Sequence, residues 1–456
     1  MVVVSVVKLS QVEGAWRLDA DYYQPEYIEA KNRLSVIKTV VRLKDIASIT
    51  TGPAYSSKEM GENFDIPMAR IGDVTNKTDV EDWIKLSKEE FEKFDCRKIE
   101  NLDILMTMTG DPPDVGKCNL IKISNDKTLA FNQRVAKVSA KISPYYLFAY
   151  LSTEIARMQS ERSALGIRQR NVGINDLKNT RVVLPSSNTL RLTIDNLVSQ
   201  YLAELENSKS LYSQAENLLL EGLGLKDFKL KYELFYTASL SKAFGAHRVD
   251  AEHFQPAYEQ LIKYISGRGA YTIRQIQTFN ASGVQPLYVE DGDTKVVTSK
   301  NLGRDSINYW GLYHTTRREW EKNKDARIRK FDILIYTTGA YVGRTNCYLQ
   351  DNQALASNHV NILRVTGINP LFVGVCLNSV LGQVQVNRSV SGSAQAELYP
   401  SDISKFVVWN APEQTQQKIA SLVQEFHEAR KKARELLEQA KSTVEQMIET
   451  ASTGND

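Results

Sequence analysis

One stretch of this chain occurs twice. Leu9 to Tyr27, LSQVEGAWRLDADYYQPEY, returns 231 positions later as Leu240 to Tyr258, LSKAFGAHRVDAEHFQPAY, with ten of nineteen positions identical. Against a length of 456 residues, that offset is close to half the chain. A duplication on this scale constrains the fold to two copies of one unit, so each later segment should have a counterpart in the other half.

Counterparts are present in order. LDILMTMTG (Leu102 to Gly110) is answered by FDILIYTTG (Phe331 to Gly339), VGK at Val115 by VGR at Val342, and LAFN at Leu129 by LASN at Leu355. Pro144 is answered by Pro370, and LGIRQRNVGINDL (Leu165 to Leu177) by SGSAQAELYPSDI (Ser391 to Ile403). The offset drifts only from 231 to 226, so insertions are few and short. Within the first copy, Val2 to Val7 reads as a strand and Pro25 to about Ile37 as a helix with Tyr27, Ala30 and Leu34 on one face. Leu43 to Gly52 reads as β-like, ending in a Thr-Thr-Gly-Pro turn, and short strands are expected within Ile66 to Asn76, Leu102 to Gly110 and Val115 to Ile121. Pro144 to Glu161 reads as one helix begun by proline, and Val182 to Pro185 as a closing strand.

The pattern then changes period. Ile194, Val198, Tyr201, Leu205, Tyr212, Ala215 and Leu219 follow four-three spacing broken at Ser208, and GLGL at Gly222 to Leu225 supplies a stop. At 1.5 Å per residue the resulting helix is about 50 Å long. A second such stripe, broken at Arg430, runs through Ile419, Val423, Phe426, Ala433, Leu437, Ala440, Val444 and Met447 within Glu413 to Ile448. Each half is therefore a globular α+β unit followed by a rod. If a pseudo-two-fold axis relates the halves, the rods pack antiparallel as a coiled coil. The plainer alternative is that each stripe docks on its own domain.

Composition excludes more than it identifies. The 42% hydrophobic content suffices for real cores, and a net charge of +3 does not announce a nucleic-acid partner. Cys96, Cys118, Cys347 and Cys376 have no CxxC pairing, so they are expected as buried free thiols in a reducing cytoplasm. The opening apolar run is too short to span a membrane. The five histidines lack metal-ligand spacing, and neither GxxxxGK[ST] nor GxSxG occurs. DPPD at Asp111 to Asp114 is similar to the Asp-Pro-Pro-aromatic motif of amino-methyltransferases, but Asp114 cannot stack on a flipped base. It lacks the acidic-x-Lys of a metal nuclease as well. No catalytic role is expected, and no metal.

Binding features are stronger. Arg157 to Arg181 holds six basic residues against two acidic, and Arg317 to Lys330 holds seven against three with Trp320 among them. Such runs suit phosphate neutralisation, although a solvated helix face gives the same pattern. GIRQRNVG (Gly166 to Gly173) carries Arg, Gln and Asn, the side chains that pair bidentately with guanine and adenine. The copies differ most here, GIRQRNV facing SAQAELY, and at GDPPD facing GAY, while framework residues recur. One scaffold with two divergent loops can read two different half-sites; loop drift is the neutral alternative.

Taken together, these residues resemble the specificity subunit of a type I restriction-modification system. LxDIxxITTG, MARIGDV, the duplicated DIL…VG[KR] pairs, FNQRVAKV (Phe131 to Val138), SGSAQ and APEQTQQKIASLV (Ala411 to Val423) carry the resemblance over nearly the whole chain. The first rod departs from it, beginning LPSSNTLRLTIDNLV without the Glu-Gln of the second. The resemblance implies a first target-recognition domain at 1–186, a spacer helix at 187–225, a second recognition domain at 226–412 and a second spacer helix at 413–450. It implies a subunit without its own enzymatic activity, each domain binding half of an asymmetric bipartite site on double-stranded DNA in the cytoplasm. Two adenine methyltransferase subunits and restriction-translocase subunits would dock on it, and S-adenosylmethionine and Mg-ATP would belong to them. An architectural DNA-bridging protein without enzyme partners is the competing class.

Candidate DNA contacts follow from loops at matching positions. In the first domain they are Tyr55, Ser57, Lys58, Arg70, Asn76, Thr109, Lys117, Arg134, Arg168, Gln169, Arg170 and Asn171, with the last four carrying most weight. In the second they are Gln285, Lys300, Asn301, Arg304, Thr338, Tyr341, Arg344, His359, Ser393 and Gln395. The duplicated LSxxxGAxRxDA is expected to be scaffold far from these loops, with Arg17 and Asp19, and Arg248 and Asp250, fixing each domain against the rods or a methyltransferase subunit.

Overall fold

The computed structural model describes residues 8, 12, 17, 19–75, 79–94, 98–110, 114–123, 127–166, 169–226, 231–309, 311–339, 341–390 and 396–454. The chain divides into two compact units, residues 1–205 with 431–456 and residues 206–430. Both cuts fall inside a long helix, Asn188–Leu223 and Glu413–Thr453. They lie 225 positions apart, after Leu205 and after Arg430, the same offset that pairs Ile194 with Ile419 and Ala215 with Ala440. Each unit thus contains one globular α+β domain and half of each helix.

In the first unit an antiparallel sheet orders its strands Ala47–Thr51, Val135–Ala140, Ile104–Thr107, Cys118–Leu120. The second unit repeats it as Gln277–Ser282, Val360–Val365, Ile333–Tyr336, Thr345–Cys347. Each unit adds a second four-stranded sheet with one parallel pair, Met68 beside Ala130 and Val296 beside Leu355. Each also closes on itself through a two-stranded ribbon, Val40–Arg42 with Arg181–Val183 and Ala270–Thr272 with Val407–Trp409.

The repeated sequence motifs are the joints of this scaffold. In the DIL pair, Leu102 and Phe331 take φ of 65° and 68°, an unusual backbone for non-glycine residues. The following aspartate holds the turn: Asp103 accepts from the Glu100 N–H at 2.7 Å and Asp332 from the Arg329 N–H at 2.6 Å. Lys137 and Arg364 pair with those carboxylates at 3.5 and 2.7 Å. In VG[KR], Gly116 and Gly343 have φ of 82° and 91°, and a Cβ there would sit 2.6 Å from Ser160 and 2.7 Å from Val386. Only glycine lets the helices Glu154–Ser163 and Val380–Ser389 approach so closely.

Three local expectations are corrected by side chains that compete for the backbone. Leu43–Ile46 is a helical turn, because Asp45 accepts from the Arg42 N–H at 3.2 Å, and the strand begins only at Ala47. The strand from Ile66 ends at Ala69, where Asp73 takes the Arg70 N–H at 2.8 Å and starts the turn Ile71–Thr75. The expected helix from Pro144 breaks at Ser152, and Thr153 caps a second helix by accepting from the Ala156 N–H. Pro25–Val36 is helical as expected, whereas Val2 to Val7 and Cys96 lie outside the described residues. Cys118, Cys347 and Cys376 are buried free thiols.

Both long helices bury their apolar stripes. In the first unit Ile194, Val198 and Tyr201 share a core with Ala433, Leu437, Ala440 and Val444, and with Tyr146, Phe148 and Leu151 of the domain. The segments run antiparallel: Lys432 pairs with Glu204, while Asp195 accepts from Ser143 and Met447 touches Tyr146. In the second unit Tyr212 meets Phe426 at 5.2 Å and Gly222 packs under Trp409, again antiparallel. Within each unit, helix-on-helix and helix-on-domain packing therefore coexist in one core. The first helix stops in a Schellman turn: Gly224, at φ 69°, donates to Glu221 O at 2.9 Å, and Leu225 to Leu220 O at 2.7 Å.

The two polar breaks in the stripes belong to the second unit. Ser208 is fully buried, and Arg430 pairs with Asp305 at 3.4 Å while lying over the Phe426 ring. Continuing the antiparallel register one turn from Tyr212 and Phe426 places Ser208 opposite Arg430. Beside them burial pushes the His427 imidazole down to about 4, with Asp305 opposing and Arg430 assisting. The folded chain therefore refuses a proton that the unfolded chain binds, and stability falls as pH drops from about 6.5 toward 4. His427→Gln should flatten that dependence by about 1–2 kcal/mol, allowing for the partial exposure of the ring. Urea titrations of both proteins across this pH range check it.

Candidate nucleic-acid interface

Part of the candidate set meets at a small ladder that recurs at matching positions in the two units. In the first unit the strand Thr109–Gly110 pairs with Arg170–Asn171. On one side the Met108 N–H donates to Arg134 O at 2.9 Å, and on the other the Val172 N–H donates to Met108 O at 2.9 Å. The second unit repeats this: the Thr337 N–H donates to His359 O at 3.1 Å and the Leu398 N–H to Thr337 O at 2.9 Å. Thr109, Arg134, Gln169, Arg170 and Asn171 thus meet in one neighbourhood, as do Thr338 and His359 in the other. Arg70 adjoins the first, since Asn132 donates to Ala69 O at 3.1 Å. Lys117 and Arg344 flank the ladders, their carbonyls accepting from Thr107 and Tyr336 at 2.9 Å.

Exposure separates these residues. Ser57, Lys58, Arg134, Gln169, Gln285, Lys300, Tyr341 and His359 are exposed, and Arg70 and Thr338 partly so. Tyr55, Thr109 and Asn301 are corrected to interior positions. Tyr55 packs edge-on against Phe94 at 5.5 Å, Thr109 donates to Asn171 Oδ1 at 2.6 Å, and Asn301 caps Thr298 at 2.9 Å. Asn76, Arg168, Ser393 and Gln395 lie outside the described residues.

Several of the charges chosen from sequence are already committed. Lys117 pairs with Asp114 at 2.7 Å, and Arg344 stacks on Tyr341 at 3.8 Å. Arg170 pairs with Asp21 at 2.8 Å. The Arg304 carbonyl accepts from Asn378, and its guanidinium counters Glu216, whose carboxyl burial pushes up. Arg304 therefore belongs to a loop that packs on the helices. Within the Arg157 to Arg181 run, Arg157 pairs with Glu154 and Glu161, and Arg162 stacks on Tyr22 at 4.1 Å. In Arg317 to Lys330, Arg317 and Lys330 pair with Glu321 and Asp351 at 3.1 and 2.9 Å, Arg327 stacks on Trp320 at 3.8 Å, and Arg318, Lys324 and Arg329 are exposed.

The largest correction concerns the duplicated motif. Arg17 grips Asp19 with Nε at 2.8 Å and Nη2 at 2.6 Å, and its Nη1 donates to Arg162 O and Ser163 O at 3.3 and 3.0 Å. Arg248 grips Asp250 at 2.7 Å twice and donates to Arg388 O, Ser389 O and Val390 O at 3.4, 2.8 and 2.9 Å. Those carbonyls end the helices Glu154–Ser163 and Val380–Ser389, which lead straight into the divergent segments. The motif therefore lies at the helix ends that precede the divergent segments, and not far from them as expected, because helix ends leave carbonyls that only an external donor can satisfy. The mutual hydrogen bond holds Asp19 below the usual carboxylate range, and Arg248 does the same to Asp250.

Sequence reading also missed Gln159 and Gln385. Each is a side-chain amide that pairs with both backbone groups of one residue of the closing ribbon, Arg181 at 2.8 and 3.1 Å and Val407 at 2.6 and 2.9 Å. Their 226-residue offset was the available signal. Among the described residues no group of three His, Cys, Asp or Glu side chains could hold a metal ion, and no helix is long and apolar enough to cross a membrane.

Residues 37–217 match the family model described as type I restriction modification DNA specificity domain, which bears out over that stretch the resemblance read from the sequence. No curated protein matches the chain. Among solved structures, it is similar to the S subunit of a type I restriction-modification system from M. genitalium, with 15% identity, coverage of 91% of this chain and 96% of that one, and a TM-score of 0.36. It is also similar to the HsdS subunit from Thermoanaerobacter tengcongensis, with 13% identity, coverage of 91% and 97%, and a TM-score of 0.27. At such scores these likenesses carry no argument, and the family reading rests on the matched residues.

Exposed and interior candidates should respond differently. Arg134→Ala and Lys58→Ala are expected to leave stability within about 0.5 kcal/mol. Each should lower the salt slope of DNA binding by about one ion. Tyr55→Ala should instead destabilise by about 3 kcal/mol, the cost of emptying a buried aromatic site. Thermal denaturation and binding titrations over a salt series separate the two classes.

Proposed function

We propose that this chain, which carries a type I restriction modification DNA specificity domain at residues 37–217, is the DNA-recognition subunit of such a system and reads a bipartite target, one half per unit. The observation that carries the reading is the pair of ladders. One hydrogen-bonded frame is built twice, and the residues on its outer edge differ between copies: Arg170 and Asn171 in one, Ala396 and Glu397 in the other. Identical frames with different edges suit two readers of different sequence better than two uniform phosphate grips.

The subunit has a recognition role and no chemistry of its own. Methyl transfer and ATP-driven cleavage, with S-adenosylmethionine and Mg-ATP, fall to methyltransferase and restriction subunits that dock on it, in the compartment that holds the DNA. The helices, 36 and 41 residues long, reach about 54 and 62 Å at 1.5 Å per residue. That exceeds the roughly 34 Å of one DNA turn that separates half-sites read from one face. Support comes from the matched family, the duplicated frames and the paired helices.

Genome-wide mapping of N6-methyladenine, in the source cell and in a strain lacking this chain, tests the proposal. A two-part motif with a fixed gap should lose methylation in the deletion strain and regain it when the chain is restored. An unchanged methylation map would defeat the reading.

A further inference from the structure

We propose that Arg17 with Asp19, and Arg248 with Asp250, are positioning latches, each setting the DNA-reading segment of its own unit and so governing one half of the target. The inference rests on the function proposed above and adds residues that make no base contact themselves.

The geometry is the same in both units. Two arms of each guanidinium are fixed on an aspartate, and the remaining N–H groups reach three consecutive carbonyls at a helix C-terminus. A planar five-donor fork suits such a multiple contact, and a cation at that end also opposes the helix dipole. In the first unit the reading segment starts at once: Ala164, whose carbonyl accepts from Arg17 at 3.4 Å, precedes Leu165, which exchanges two 2.8 Å backbone hydrogen bonds with Asn171. Moving the helix end therefore moves Asn171 and, through the Val172 hydrogen bond, the ladder.

Neither arginine is placed to touch DNA. Their side chains are only 17% and 20% exposed and their donors are used internally, so any effect on recognition must pass through the segment they hold. Each latch has a local reinforcement. Tyr22 lies between Arg17 and Arg162, with their guanidinium carbons 4.5 and 4.1 Å from its ring centre, and its neighbour Asp21 holds Arg170. At the equivalent place in the second unit, His253 Nδ1 lies 2.7 Å from Arg388 O. The two reinforcements differ while the two latches do not, as expected if the latch is common frame and the reinforcement is fitted to each reading segment.

The test uses the full chain with Arg17→Ala, Arg17→Lys and Arg248→Ala. Amide exchange is measured without DNA, and targets are selected from duplexes with a randomised core. Arg17→Ala should speed exchange at Asn171 and Val172 about tenfold or more and leave Leu398 unchanged, because only one local set of hydrogen bonds is loosened. Selected targets should lose preference in one half only, by about tenfold or more, the worth of one bidentate base contact. Arg248→Ala should leave exchange at Asn171 and Val172 unchanged and lower preference in the other half of the target only. Arg17→Lys should behave as Arg17→Ala, since an ammonium cannot span aspartate and carbonyls together, and the salt slope of binding should not change. Unchanged exchange and selection, loss of both halves together, or rescue by lysine with a salt slope lowered by about one ion in the alanine variant would each overturn the latch. If the wild-type chain selects no two-part sequence, the proposed function itself fails, and that arm identifies the failure as such.

Discussion

The structure depends on the burial of two apolar helix stripes, each shared between a neighbouring helix segment and a globular domain. In both units the central positions are fully buried, among them Ile194, Val198, Ala440 and Val444 in one and Ala215, Leu219, Ile419 and Phe426 in the other. Each large apolar side chain so buried contributes about 1.5–3 kcal/mol, so the stripes outweigh the polar breaks at Ser208 and Arg430. The alanines at Ala215, Ala433 and Ala440 have a separate effect. They let backbones approach closely, and larger side chains there would overpack by about 1–3 kcal/mol. Because neither domain supplies both helix segments of its core, half of the chain is an incomplete fold.

On that base the rest of each unit is a set of joints that transmit position outward. Gly116 and Gly343 bring a helix against the sheet, Gln159 and Gln385 tie that helix to the closing ribbon, and Arg17 and Arg248 hold its far end. The divergent segment begins where the helix ends. A reader built this way can change sequence at its edge while its frame stays fixed, and two such readers can diverge independently.

Much of this was legible in the sequence because duplication reports a frame without any structural knowledge. The long helices, the stop at Gly224, the DIL strands and the closing strands were all readable from period and repetition. The limits of the turns Leu43–Ile46 and Ile71–Thr75 were not, since they depend on Asp45 and Asp73 folding back on their own backbone. Candidate contacts were legible only as residue types. Nothing in the string distinguishes Lys58, which is exposed, from Lys117, which is spent on Asp114, or reveals that Tyr55 faces Phe94. Arg170 was chosen for its chemistry and is held by Asp21, 149 positions earlier, a pairing visible only once the fold brings both ends of the domain together.

The central claim is that the chain is one reader built twice and completed by antiparallel helix segments from both copies. Sedimentation of the fragment ending at residue 225 tests it most directly. That fragment lacks the 431–453 segment on which the first unit closes, and its own 206–223 segment is the equivalent stripe. The account predicts a dimer in which each copy supplies the missing segment to the other, and which selects a symmetric DNA target. A folded monomer, or a dimer unaffected by a lysine at Ala215 in the seam, would contradict it.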